Sequence, residues 1–176
     1  MSDASIQTPA LPLAPAPGDL RAALGQFATG VTIVTTVGPQ GQRIGLTANS
    51  FTSVSLEPPL VLWSLSKRSA SLDTFRNAGR FAINVLASDQ QELCRRFAQR
   101  MDGDRFEGVA LTPSETGLPL IEGTLASFEC TTHAQYEAGD HIVFLGQVQH
   151  YRAINGEALI FRAGRMLTSA ATVELH

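Results

Sequence analysis

Three short segments hold side chains whose types and spacing could do chemistry. Ser64-Leu65-Ser66-Lys67-Arg68-Ser69-Ala70-Ser71 follows an apolar run and opens a helical pattern. Unpaired backbone N–H groups, the positive end of a helix dipole, the hydroxyls of Ser64, Ser66 and Ser71, and the Lys67 cation would meet there, a combination suited to a phosphate. Gly45-Leu46-Thr47-Ala48-Asn49-Ser50-Phe51-Thr52-Ser53 offers small and amide-bearing residues at a strand end. Thr47, Ala48, Asn49 and Ser50 can bring backbone N–H groups and a side-chain amide against a flat heterocycle, which bulky residues would hold off. Ala138-Gly139-Asp140-His141 is a tight turn between the two longest strand patterns and sets an imidazole at their rim. Taken singly, the three read first as a capped polar turn, a polar strand end and an exposed turn histidine.

Other chemistries find no support in the chain. GxxxxGK[ST], HExxH, GxSxG and GxGxxG are all missing, so a P-loop, zinc or serine hydrolysis and a Rossmann nicotinamide site are not expected. His133 and His150 fall within strand patterns and His176 is terminal, with no Asp/Glu/His cluster around them to suggest a metal site. Cys94 and Cys130 stand 36 positions apart in periodic segments, which fits buried free thiols in a reducing cytosol better than a disulfide framework.

The elements that must position these groups are mostly strands. Residues 1–18 hold four of the nine prolines and one charge, which reads as a flexible tail without the basic start and apolar run of an export signal. Asp19 is placed to cap a helix over Leu20 to Ala28, with Leu20, Ala23, Leu24 and Phe27 as its buried face. Val31 to Val37 is β-branched throughout, and Gly38-Pro39-Gln40-Gly41 leads into a hairpin partner over Arg43 to Ser50. Further strands read at Leu60 to Leu65, Phe81 to Leu86, Thr124 to Tyr136, His141 to Arg152 and Ala158 to Arg162. In the longest, the even positions from Ala126 to Tyr136 alternate with Ser127, Glu129 and Thr131, as in a half-buried antiparallel strand. Helices are expected over Ser69 to Ala78, ending at Gly79, and over Ser88 to Gln99, opening with a Ser88/Gln91 capping box and burying Leu93, Phe97 and Ala98. Residues 100–118 read as a loop long enough to cover a site or meet a partner. This order predicts a mainly β, antiparallel, nearly closed barrel with short helices at its connections, occupying residues 19–168 and followed by a C-terminal tail over 169–176.

Composition sets the outer limits. The 176 residues suit one domain, and 16% charged residues with a net charge of −3 give neither charge-driven disorder nor a polyanion-binding surface. The longest apolar runs have four residues, far short of a membrane span of about 20.

In order, Phe27 to Thr36, Gly45 to Ser55, Pro58-Pro59-Leu60-Val61, Phe81 to Leu86 and Gly139-Asp140-His141 resemble the short-chain flavin reductases, with Asp104-Arg105-Phe106 and Gly117-Leu118-Pro119-Leu120 also fitting. The resemblance covers about residues 20–168. It implies an FMN-binding split β-barrel with a Greek-key-like strand order, usually a homodimer, in which NADH or NADPH reduces FMN or FAD and the reduced flavin serves a partner monooxygenase in the cytoplasm. It further implies that Thr47 to Ser50 line the isoalloxazine ring, that Ser64 to Ser71 hold the ribityl phosphate, that His141 lies beside the nicotinamide and that Phe97 is near the flavin. Hydride transfer needs the nicotinamide C4 within about 3 to 3.5 Å of flavin N5 and no obligatory acid or base from the protein. Relatives often carry Gly-x-Tyr after the last strand, where this chain has Gly164-Arg165-Met166. Two other functions suit the same barrel: a non-catalytic flavin or haem module, and an oxidase of the pyridoxamine-phosphate kind.

Overall fold

The computed structural model describes residues 17–99 and 103–169. Twelve strands and three short helices follow one another through them. These are α1 (Pro17–Leu24), β1 (Thr29–Gly30), β2 (Thr32–Val37), β3 (Arg43–Ala48), β4 (Thr52–Leu56), β5 (Pro59–Ser66), α2 (Leu72–Ala78), β6 (Arg80–Val85), α3 (Gln91–Ala98), β7 (Leu111–Thr112), β8 (Leu120–Ile121), β9 (Ala126–Ala138), β10 (His141–Ala153), β11 (Leu159–Arg162) and β12 (Arg165–Thr168).

Seven strands form one sheet in the order β3-β2-β6-β9-β10-β5-β4, with every pairing antiparallel. Its edges β3 and β4 are not hydrogen-bonded to each other, so the barrel is split. β1, β11 and β12 make a second small sheet, and β7 pairs with β8. The β2–β3 hairpin runs from Val37 opposite Arg43 to Thr32 opposite Ala48, and Gly41 supplies the positive φ of 79° that its turn requires.

β2 is buried on both faces, which is why its sequence is apolar or threonine throughout instead of alternating. On one side Val34 joins Val61, Trp63, Phe75, Phe81, Ile83 and Phe144. Trp63 stacks on Phe144 at 4.8 Å and meets the edge of Phe75 at 5.0 Å. On the other side Val31 and Ile33 pack with Leu86, Cys94, Phe97, Phe106, Ile121 and Leu159. Met166, at the Gly-Arg-Met departure, packs against that second cluster. Cys94 and Cys130 are buried free thiols.

Several expected elements are displaced. The first helix begins at Pro17, where a missing N–H costs nothing, and gives way to turns after Leu24. Pro17 and Gly18 therefore belong to α1 and not to the tail, while residues 1–16 and 170–176, including His176, lie outside the described residues. The face expected to be buried is not: Leu20, Leu24 and Phe27 are 47%, 66% and 79% exposed, because the helix stops short and, among the described residues, no core lies against its apolar spacing. The last two helices begin at Leu72 and Gln91, three residues later than expected. In place of the Ser88 capping box, the Gln90 side chain accepts a bond from the Ala87 N–H at 3.1 Å. Ala98 is exposed, and Cys94 takes a place beside Phe97 on the buried face.

Thr52–Leu56 is a strand with no alternating signal, since it is an edge strand that pairs with β5 through a bulge near Ser53 and Ser55. The expected loop contains β7, and its residues 100–102 lie outside the described residues. In β9 the alternation fails at its start. Ser127 and Glu129 are buried together with Cys130, because the segment from Ser114 to Leu118 lies over the face that should have been wet.

Candidate functional site

The barrel brings the three segments side by side. Ser50 Oγ accepts the Ser64 N–H at 2.9 Å and donates to the Ser64 carbonyl at 3.2 Å, so one side chain ties the end of the β3 segment to β5. His141 stands opposite Ser66 in the β10–β5 ladder, and the Lys67 N–H donates to the Asp140 carbonyl at 2.9 Å. Thr47 Oγ1 donates to the Cys94 carbonyl at 2.8 Å, seating α3 on β3. That contact depends on Gly45, where a Cβ would fall 2.7 Å from Phe97 Cε1.

Two neighbouring cavities that share wall residues lie between these elements and form an inner and an outer compartment. The inner one, about 230 Å³, is lined by Leu46, Thr47, Leu65, Ser69, Ala70, Ser71, Phe97, Ala98, Gln99 and Arg105. The outer one, about 640 Å³, is bounded by residues 41–45, Ala70, Ser71 and residues 103–106. Ala70, Ser71 and Arg105 belong to both walls.

Of the residues singled out in the sequence, Thr47, Ser71 and Phe97 form the inner wall. Phe97 is 1% exposed and packs edge-on against Phe106 at 4.9 Å, so it is a wall and not a free stacking ring. Ala48 is half-buried and its carbonyl accepts from Thr32 Oγ1 at 2.7 Å. Asn49 is exposed, and its amide has no hydrogen-bond partner among the described residues. Ser66 Oγ accepts the Arg68 N–H at 3.3 Å. Lys67 is committed elsewhere: its Nζ lies 3.1 Å from Glu137 Oε2, with Arg76 on the other carboxylate oxygen at 3.4 Å. Lys67 and then Arg76 hold the Glu137 carboxyl below the usual range.

His141 Nδ1 lies 2.7 Å from Asp140 Oδ1. The Asp140 carboxyl is lowered chiefly by this bond.

The cation common to both compartments is Arg105, to which the sequence alone assigns no role. Its Nη1 donates to the Gly45 carbonyl at 3.1 Å and its Nη2 to the Gln99 carbonyl at 2.7 Å. Its Nε is buried without a hydrogen-bond partner among the described residues. Beside it, Arg43 Nη2 pairs with Asp104 Oδ2 at 2.9 Å, and its guanidinium lies 5.3 Å over the Phe106 ring. The Phe106 N–H, and to a lesser degree Arg43, hold Asp104 low. The only signal for Arg105 was a lone Asp-Arg-Phe inside an apparent loop.

A donor left unsatisfied, two serine hydroxyl-bearing residues at a turn, and apolar walls from Leu46, Leu65 and Phe97 fit an aromatic ligand that ends in an anionic group. Among the described residues no group of three or more metal-ligating side chains occurs. Residues 24–169 match the flavin reductase like domain. The chain belongs to that family.

Among relatives of this flavin reductase domain, the FMN reductase (NADH) SmoA of Agrobacterium fabrum is 46% identical over 82% of this chain and 81% of its own length. The reductase component of the flavin-dependent trigonelline monooxygenase of Acinetobacter baylyi is 43% identical over 86% of this chain, which spans about half (49%) of that longer protein. The solved NADH:FAD oxidoreductase SgcE6 of Streptomyces globisporus superposes with a TM-score of 0.84 at 39% identity, covering 92% of this chain and 99% of that one. The split-barrel architecture of the flavin reductases is therefore also that of this chain.

Proposed function

We propose that the inner compartment receives the flavin ring system and the Ser69-Ala70-Ser71 turn with Arg105 receives its phosphate, the observation that carries this being the buried, unpartnered Arg105 Nε in the cleft wall. The protein is a flavin reductase that draws on NADH and supplies reduced flavin to a flavin-dependent monooxygenase. Its similarity to reductase components of such systems supports this over a passive flavin or haem module or an amine oxidase. Bound in the cleft, a flavin would accept hydride at N5 from a nicotinamide.

The chain's own residues supply position. Gly45 lets Phe97 close the wall. Ser50 holds the β3 end against β5, so Thr47 to Ser50 and Ser64 to Ser66 keep one spacing. Asn49 offers an exposed amide beside them. Asp140 orients His141 so that Nε2 is available to a carboxamide donor of the nicotinamide. A homodimer fits the exposed Leu56, Tyr151 and Ile154, at 92%, 76% and 62%. Among the described residues no helix is long and apolar enough to cross a membrane.

The deciding assay measures NADH oxidation with and without added flavin. Turnover well above that of free flavin supports the reading, and a rate equal to it removes the activity. Ser71→Ala and Arg105→Ala are each expected to raise the Kd for FMN about tenfold, or ~1.4 kcal/mol, while riboflavin, which lacks the phosphate, shifts by no more than about threefold. Equal shifts for both ligands would remove the phosphate assignment.

A further inference from the structure

We propose that Asp104 is a positioning residue for the flavin phosphate, fixing the turn that carries Arg105 so that its guanidinium stays in the cleft wall; this rests on the assignment of the phosphate to Arg105 and the Ser69-Ala70-Ser71 turn. The two carboxylate oxygens serve different elements. Oδ1 accepts the Phe106 N–H at 2.8 Å, closing a tight turn over Arg105, and the Asp104 carbonyl accepts the Glu107 N–H at 3.1 Å. Oδ2 accepts from Arg43 Nη2 at 2.9 Å, at the start of β3 and 61 positions away in the chain. One short side chain thus ties the turn to β3. The buried Phe106 ring sets how deep the turn sits, but one anchor leaves the turn free to rotate about it. Asp104, on the other side of Arg105, removes that freedom.

The placement of charge supports the same role. Asp104 is the chain neighbour of Arg105, yet its partner is Arg43, and among the described residues no carboxylate lies within ion-pair distance of Arg105. The Arg105 Nη groups are held by two neutral carbonyls, those of Gly45 and Gln99, so its charge is left for an anionic ligand. The Arg43 and Asp104 side chains are 41% and 48% exposed, where an ion pair adds little to stability, so what this pair supplies is geometry. A ligand-holding side chain acts fully only when the residues behind it lock its position.

The test measures the Kd of FMN and of riboflavin by calorimetry for wild-type protein, Asp104→Ala, Asp104→Asn, Arg105→Ala and the Asp104→Ala/Arg105→Ala double variant. Simple electrostatics and positioning give opposite signs: removing a carboxylate near a phosphate dianion tightens FMN binding, whereas releasing Arg105 loosens it. Asp104→Ala is expected to raise the FMN Kd about fivefold and to leave riboflavin within about twofold, riboflavin binding serving as the check that the cleft is folded. Asp104→Asn keeps an acceptor for the Phe106 N–H and is expected to lose less, which retains a folded variant for the comparison should Ala prevent folding. In the Arg105→Ala background, Asp104→Ala is expected to change the FMN Kd by less than about twofold, because the residue it positions is already gone. An FMN Kd that is unchanged or lower in Asp104→Ala would overturn the inference. So would an Asn variant as damaged as Ala, or the same fivefold loss in the Arg105→Ala background, since Asp104 would then act without Arg105. If Arg105→Ala itself leaves FMN binding intact, the phosphate assignment falls and this inference with it; if Arg105→Ala weakens FMN and Asp104→Ala does not, only this inference falls.

Discussion

Single residues decide whether the cleft exists. Gly45 is required because α3 lies directly on β3, and a methyl group there would press on a ring that cannot retreat, Phe97 being fully buried. Gly45→Ala is expected to cost about 1–3 kcal/mol in chemical denaturation and to weaken flavin binding as α3 shifts. A variant as stable as wild type would show that the ring relocates freely. His141 is the residue proposed to meet the nicotinamide. His141→Ala should raise the KM for NADH about tenfold with little change in flavin Kd, the loss expected of one positioned hydrogen bond. Unchanged NADH kinetics would remove His141 from the nicotinamide side.

At the scale of elements, β9 carries a device that no alternation rule could reveal. Burial alone would raise the Glu129 pKa, but the Thr116 and Ser114 hydroxyls and the Thr116 and Glu115 N–H groups outweigh it and hold the carboxyl below its usual value. The Ser114 bond is 2.7 Å and the Thr116 N–H bond 2.9 Å. Arg80 adds a bond to the Thr116 carbonyl, so charged groups help to fasten the segment from Ser114 to Leu118 to the sheet, alongside the packing of Leu118 on Ala82. A folded-state pKa below the unfolded value of about 4.3 gives stability that is present in full above that pH and is lost as pH falls through the folded value. Melting curves between about pH 6 and 3 should therefore show an acid-side loss that Glu129→Gln reduces, while Glu129→Gln at neutral pH costs about 1.5–3 kcal/mol, the worth of bonds to a charged acceptor. An identical pH slope in the variant would show that the segment is held by other contacts.

The same scale shows what the sequence could say. The β2–β3 hairpin, β5, β6, β10 and the left-handed Gly79 that ends α2 follow from local pattern, because β-branched runs and glycine punctuation are local signals. Glu129 and α1 were misread for one shared reason: which face is covered depends on a segment distant in the chain, present over Glu129 and missing over Leu24. The site divides likewise. Thr47 and Ser71 were legible as polar residues where an element ends, whereas Arg105 and Arg43 enter the cleft only because the fold lays residues 103–106 beside β3.

At the scale of the whole molecule, the exposed apolar side chains predict that light scattering will give about twice the chain mass. A monomeric mass at micromolar concentration would show that these residues face water. Burial, aided by the neighbouring Glu129 charge, pushes the Cys130 thiol up to about 12, and burial also raises Cys94. Neither should react with a thiol reagent until the protein unfolds, when two thiols should appear together. Fast labelling of the native protein would mean that α3 or β9 opens readily.

Trp63, the one tryptophan in the chain, gives the molecule an optical signal of its own. It is fully enclosed, pressed between Phe144 and Phe75, and its Nε1 finds no acceptor among the described residues, so its emission belongs at short wavelength and should move red only on unfolding. Leu65, two residues along β5, lines the candidate cleft, which would place an emitter near a yellow, absorbing ligand. Loading and release of the flavin can thus be followed by the dimming and recovery of a residue that never touches it, with no label added.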